Sequence, residues 1–206
     1  MAYRRTLIKT GCLAAVAVLA AGLTGCDKLG IAAPSSQSFK GVDITGANYR
    51  FALPDQNGQT RTPDDFKGKV TAVFFGYTQC PDVCPTAMAE LAQVKKALGK
   101  DGDRLQGVFI TVDPERDTPE VLKAYMGSFD SGFVALRGST EQTAATAKDF
   151  KVFYAKSPGK APGSYTVDHT AGTYLFDTKG QVRLFERYGS GVEALNADVK
   201  ALLAAG

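Results

Sequence analysis

Lys69-Val70-Thr71-Ala72-Val73-Phe74-Phe75-Gly76-Tyr77 is an almost unbroken apolar run rich in β-branched and aromatic residues. It is short for a helix, and a strand with one wet face would alternate, so the run predicts a strand buried on both faces. Such strands lie in sheets covered by helices, and the flanking sequence supplies both. Thr86 to Leu98 places Met88, Leu91, Val94, Ala97 and Leu98 at helical spacing, and Leu105 to Val112 is a second buried strand. Thr118 to Phe129 predicts a helix, with Thr118 as cap, Pro119 at its first position and Glu120 in its first turn. A short strand over Gly132 to Leu136 and a helix over Glu141 to Phe150 follow. Gly172 to Asp177 and Gln181 to Arg187 flank Thr178-Lys179-Gly180 as a hairpin, and Val192 to Ala204 reads as a helix.

On the other side of the run, Tyr49 to Leu53 and Gln59 to Thr62 flank Pro54-Asp55-Gln56-Asn57-Gly58, a turn signal that predicts another hairpin. The fold class is therefore α/β, a mixed sheet with helices on both faces. The order resembles a thioredoxin-like fold with an N-terminal β-hairpin extension and an inserted strand and helix. Ligands of such sheets gather at the carboxyl ends of the parallel strands. The residues after Tyr77 belong to that edge, as does Asp113. If Gly172 to Asp177 runs antiparallel, its start lies there too, three residues after His169.

The 206 residues are 44% hydrophobic and 22% charged, the balance of one globular domain. The net charge of +3 comes from Arg4, Arg5 and Lys9; from residue 26 onward 21 basic residues face 21 acidic ones. A neutral chain without a basic, aromatic-interleaved run disfavours nucleic acid as a partner. Met1 to Thr10 is basic and Cys12 to Gly22 is apolar, but too short and too rich in Ala and Gly for a spanning helix, so the segment reads as a cleaved signal. Leu23-Thr24-Gly25-Cys26 resembles a bacterial lipobox, against an ordinary secretory cleavage site or an uncleaved anchor. The resemblance implies lipidation at Cys26, and Asp27 after it implies retention on the periplasmic face of the cytoplasmic membrane. The expected organisation is a signal peptide over 1–25, a flexible tether over 26–42 and the folded domain over 43–206.

With Cys12 in the signal and Cys26 acylated, Cys80 and Cys84 are the thiols left for chemistry in an oxidising location. A disulfide between them would close too small a loop to hold a fold together. They lie one helical turn apart at a strand-to-helix junction, where helix amides favour the thiolate. Such a pair can chelate a soft ion or cycle through a disulfide. The three-residue spacing differs from the two-residue spacing of thioredoxin-type oxidoreductases. His169 is the chain's single histidine, in the stretch Ser157 to Ala171 that reads as a long loop. Two thiolates and an imidazole suit Cu(I), and hold Cu(II) with help from a water or carboxylate. Structural zinc wants four protein ligands, and there is no third free thiol or second histidine. Asp113, Arg116 and Asp117 flank Pro114 in a loop on the same edge, where helix capping and solvated charge compete with a role near the metal. Asp113 alone is assigned one, as a carboxylate that supports a ligand or meets a partner.

Three motifs then coincide: Gly76-Tyr77-Thr78-Gln79-Cys80-Pro81-Asp82-Val83-Cys84-Pro85, Val112-Asp113-Pro114-Glu115-Arg116-Asp117-Thr118-Pro119 and Tyr165-Thr166-Val167-Asp168-His169-Thr170. Together they resemble the Sco/SenC family over about Gly41 to Leu203. The commonest family pattern has His before the first Cys, where this chain has Gln79. The resemblance implies one copper per chain held by Cys80, Cys84 and His169, and help in building the CuA centre of cytochrome c oxidase. The expected partners are oxidase subunit II, through its CuA domain, other periplasmic copper chaperones, and the membrane through the lipid. A thiol:disulfide reductase that keeps the CuA cysteines of subunit II reduced, working through Cys80 and Cys84, is the alternative. A peroxidase is disfavoured, because Phe74 stands where peroxiredoxins place a proline.

Overall fold

The computed structural model describes residues 38–206; the expected signal segment, Cys26 and the expected tether up to residue 37 lie outside the described residues. In chain order the elements are β1 (Val42–Asp43), β2 (Leu53–Pro54), β3 (Thr60–Arg61), β4 (Val70–Gly76), α1 (Val83–Ala97), β5 (Leu105–Thr111), α2 (Pro119–Gly127), β6 (Val134–Leu136), α3 (Thr140–Asp149), β7 (Tyr154–Pro158), β8 (Tyr165–His169), β9 (Gly172–Phe176), β10 (Val182–Arg187) and α4 (Val192–Ala204). A six-stranded sheet has the order β1-β10-β9-β4-β5-β6. β4, β5 and β6 run parallel, in register from Val70 opposite Leu105 to Gly76 opposite Thr111. β9 lies antiparallel to β4, and β10 to β9. Every residue of β4, β5 and β9 is buried, as their continuous apolar composition requires.

Successive residues of β4 point to opposite faces, and each face has its own helices. Phe74 stacks on Phe109 of β5 at 6.4 Å between centroids, and Phe109 meets Tyr125 of α2 at 5.5 Å. Phe75 looks the other way, onto Phe150 at the end of α3, 5.0 Å away. Thr118 caps α2, accepting from the Val121 amide at 3.3 Å with Pro119 at the first position. The expected N-terminal hairpin is present but short, with β2 and β3 only two residues each. Its turn closes around Asp55, a 3% exposed carboxylate that accepts from the amides of Asn57 and Gln59 and from Arg61 Nε.

The end of the stretch expected to be tether is held on the domain. Lys40 and Gly41 donate their amides to the Asp198 carboxylate of α4 at 2.9 and 2.7 Å, and β1 then pairs with β10. Glu186 of β10 lies beside Asp198, and both are almost fully buried. A Cβ on Gly41 would stand 2.5 Å from Glu186 Oε1, so only glycine fits there without displacing the carboxyl. Burial first, and the adjacent Asp198 second, push the Glu186 carboxyl up to about 8. A carboxyl that stays protonated when folded but ionises near 4.5 when unfolded lowers stability as pH rises from about 4.5 to about 8. Its contribution to that slope is at most about 1.4 kcal/mol per pH unit. Glu186→Gln should therefore gain thermal stability over the wild type as pH climbs through this window; a difference that stays constant with pH would place the proton elsewhere.

Candidate metal centre

β4 ends at Gly76 on the carboxyl edge of the sheet, and the chain turns through Thr78 to Asp82 into α1. The helix begins at Val83, three residues before the expected Thr86, so Cys84 is its second residue and Pro85 its third. Asp82, the N-cap, makes no side-chain bond to the helix. The sulfur of Cys80 takes that place, accepting from the Cys84 amide at 3.4 Å, while Pro85 has no N–H to offer. The amino end of α1 therefore favours negative charge on Cys80. The Cys80 thiol is pulled far below its ordinary range, chiefly by the Cys84 S–H donating to it; burial opposes this, and the amides of Asp82 and Cys84 reinforce it. The Cys84 thiol is pushed up, first by sharing its proton with Cys80 and second by burial. The two sulfurs thus hold one proton between them, on the buried Cys84, while Cys80 is half-exposed and ionised.

Cys84 reaches its slot because Gly76 has no side chain. A Cβ there would lie 2.7 Å from Cys84 Sγ and 2.9 Å from the Phe109 ring. A lone glycine within a buried strand is the sequence mark of such a close approach, and it was available in the motif.

The expected long loop at Ser157 to Ala171 is instead mostly a β-hairpin. β7 and β8 pair antiparallel from Pro158 opposite Tyr165 to Tyr154 opposite His169, a two-stranded sheet separate from the main one. Proline, glycine and lysine at its tip give the stretch a loop's composition, and β7 carries no apolar alternation to match the short one of β8. His169 is the last residue of β8. Its Nδ1 lies 3.1 Å from the Thr170 carbonyl, so the tautomer that donates there turns the Nε2 lone pair toward Cys84 Sγ, 3.3 Å away. Phe74 and Tyr77 stand edge-on to the imidazole, each at 6.0 Å between centroids. One donor atom from each of Cys80, Cys84 and His169 lies within 4.8 Å of the other two.

The charges after β5 are not a solvated loop. Asp117 is fully buried; it accepts from the hydroxyls of Thr78 and Thr111, each at 2.6 Å, and from the Thr78 amide. Burial raises its pKa against those bonds. Asp117 therefore ties the start of the thiol loop to the end of β5, a role that sequence reading missed because its hydroxyl partners are 6 and 39 residues away. Asp113, 1% exposed, hydrogen-bonds none of the three clustered residues. It accepts from Arg116 Nε and from the Tyr165 hydroxyl, the latter at 2.9 Å.

The order of the three motifs and the convergence of their donor atoms invite comparison with known proteins. The SCO1/SenC family model matches residues 43–204. The chain belongs to the SCO1/SenC family. A SCO2-like protein of Rickettsia felis is 41% identical over 132 residues, 64% of this chain and 64% of that protein, so the match spans less than two thirds of the relative. Bradyrhizobium japonicum ScoI, solved with copper bound, is 44% identical with a TM-score of 0.66, covering 74% of this chain and 96% of that one. A SCO1/SenC family lipoprotein from Bacillus anthracis is 29% identical with a TM-score of 0.67, covering 80% and 99%. The thioredoxin-like arrangement read from the element order is the fold of this family.

Within this SCO1/SenC chain, the donor set is two soft sulfurs and one borderline nitrogen with one side open to solvent at Cys80. Its composition and spacing fit copper, whereas structural zinc would need a fourth protein ligand. Gly76→Ala should destabilise the domain by about 1–3 kcal/mol through overpacking. It should also speed alkylation of Cys84 by displacing the sulfur, measured by mass spectrometry of the native protein; unchanged Cys84 reactivity would show that the slot tolerates a methyl group.

Proposed function

We propose that this protein is a copper metallochaperone that carries one copper ion on Cys80, Cys84 and His169 and passes it by ligand exchange to the CuA centre of cytochrome c oxidase, on subunit II. The convergence of those three donor atoms within 4.8 Å carries the reading. Copper bound to a 44% identical relative supports it. Removing either sulfur breaks the chelate. Cys80→Ser and Cys84→Ser should each abolish tight binding of one copper, read as metal and thiol content after titration of the reduced protein, and full binding by both would refute the assignment.

A thiol:disulfide reductase is the second reading, favoured by the half-exposed, ionised Cys80 beside a protonated Cys84. Cys80 would attack a target disulfide and release one target thiolate. Cys84 would then displace the second, leaving a reduced target and a Cys80–Cys84 disulfide. That chemistry has no need of an imidazole. His169→Ala should lose Cu(II) binding more severely than Cu(I) binding, since the softer ion is better served by two thiolates. Cells carrying it should assemble little active oxidase at low copper, while the purified variant keeps its disulfide-reducing ability. Wild-type oxidase activity at low copper would favour the reductase.

The proposed location is the periplasmic face of the cytoplasmic membrane, with acylated Cys26 as anchor. The lipobox-like Leu23 to Cys26 and the lipoprotein relative support this. Cys26→Ser should move the protein from the membrane to the soluble periplasmic fraction with copper binding intact, and continued membrane retention would assign anchoring to the apolar segment.

A further inference from the structure

The two halves of the metal centre come from different parts of the fold. The sulfurs sit where the main sheet meets α1. The imidazole ends a two-stranded hairpin that shares no hydrogen-bonded strand pair with that sheet. The short link through Thr170 and Ala171 to β9 brings His169 to the sheet edge, but two strands alone are marginal, so how β8 is turned there depends on what grips the hairpin from outside. Along β8, Tyr165, Val167 and His169 share the inward face, and their burial alternates with exposed Thr166 and Asp168. Val167 is buried in the middle, while Tyr165 sits at the opposite end of the strand from His169.

Tyr165 is gripped three ways. Its hydroxyl donates to Asp113 at 2.9 Å. Its ring lies under the Arg116 guanidinium, 3.6 Å from carbon to centroid. Its carbonyl accepts from Arg116 Nη1 at 3.0 Å. The same Nη1 donates to Gln79 Oε1 at 3.1 Å, on the residue just before Cys80. Asp113 in turn holds Arg116 through Nε. One guanidinium thus touches both the thiol loop and the histidine hairpin, anchored on a carboxylate that is itself buried.

We propose that Tyr165 is a positioning residue of the metal centre: clasped by Asp113 and Arg116, it latches the hairpin to the thiol loop and so sets the gap between His169 Nε2 and the sulfurs. Strand β8 acts as a short lever with the latch at one end and the ligand at the other. Loosening the Tyr165 end leaves the sulfurs where α1 and the Asp117 bonds to Thr78 hold them, and blurs chiefly the position of the imidazole. The ion that depends more on nitrogen should therefore feel the change first. The functional consequence rests on the copper reading, but the mechanical one does not.

The test compares the full chain with Tyr165→Phe, which keeps the ring and removes the bond to Asp113, and with Arg116→Lys, which keeps the charge and removes the fork. Hydrogen exchange at the Thr166 to His169 amides is measured without metal, and Cu(II) and Cu(I) binding by competition, with the nitrogen splitting of the Cu(II) paramagnetic resonance spectrum as the positional readout. Both variants should exchange faster in β8, bind Cu(II) about tenfold more weakly with altered nitrogen splitting, and leave Cu(I) binding nearly unchanged. Wild-type exchange together with a wild-type Cu(II) spectrum in both variants would overturn the latch. So would equal losses for Cu(I) and Cu(II) with a lowered melting temperature, which mark a merely structural residue. If one variant does not fold, the other decides. If the wild type takes up no copper, the copper reading fails, and the latch stands or falls on the metal-free exchange rates.

Discussion

Two sulfurs in close contact, one buried and one half-exposed at the start of α1, are the constraint around which this centre is built. Cys80 and Cys84 sit against each other on the amino end of α1 and share one proton, with the charge on the sulfur nearer solvent. Helix amides stabilise that single thiolate but not a second one in the buried slot beneath it. A cation placed between the sulfurs removes the conflict, because it neutralises both and displaces the shared proton. The imidazole of His169, its Nε2 lone pair 3.3 Å from Cys84 Sγ, adds a donor that costs no further negative charge.

The surrounding carboxylates sharpen this preference. Asp117, buried next to the thiol loop, raises the Cys84 pKa further through its charge, so the thiol pair keeps its proton more firmly. The same charge is worth having once a copper ion brings a positive one. Asp117 holds the loop by accepting from Thr78, and Asp113 holds Arg116 and Tyr165. A buried carboxyl offsets the cost of its burial only by accepting several hydrogen bonds at once, which is how each acid fastens two segments together.

Where an element makes its own case locally, sequence reading located it. The continuous apolar runs of β4 and β5, the Thr118-Pro119 start of α2 and the amphipathic α4 depend on neighbours a few residues away. The β7–β8 hairpin does not. Its strands are half-exposed, its tip is rich in proline and glycine, and its grip on the domain comes from Asp113 and Arg116, about fifty residues earlier in the chain. The same distance hid Asp117, read as one more loop charge although it is fully buried. Cys80, Cys84 and His169 were legible because rare residue types in a fixed order carry information that survives separation. Their convergence needed the antiparallel course of β9, which brings the chain just after His169 back to the carboxyl edge of β4.

The unequal exposure of the three donors bears on how copper would leave under the transfer reading. Cys84 is sealed beneath Gly76, Phe109 and the start of α1, so an incoming ligand cannot reach its sulfur side directly. Cys80 is half-exposed, and His169 ends a hairpin whose strands pair only with each other and which Arg116 and Asp113 hold at Tyr165. Exchange would then begin where the site is open or movable and finish at Cys84, the donor held most firmly. Such an order keeps the ion attached to one chain or the other throughout the transfer. Under that reading the looseness of the hairpin would add to the exposure of Cys80 in setting how readily the ion leaves.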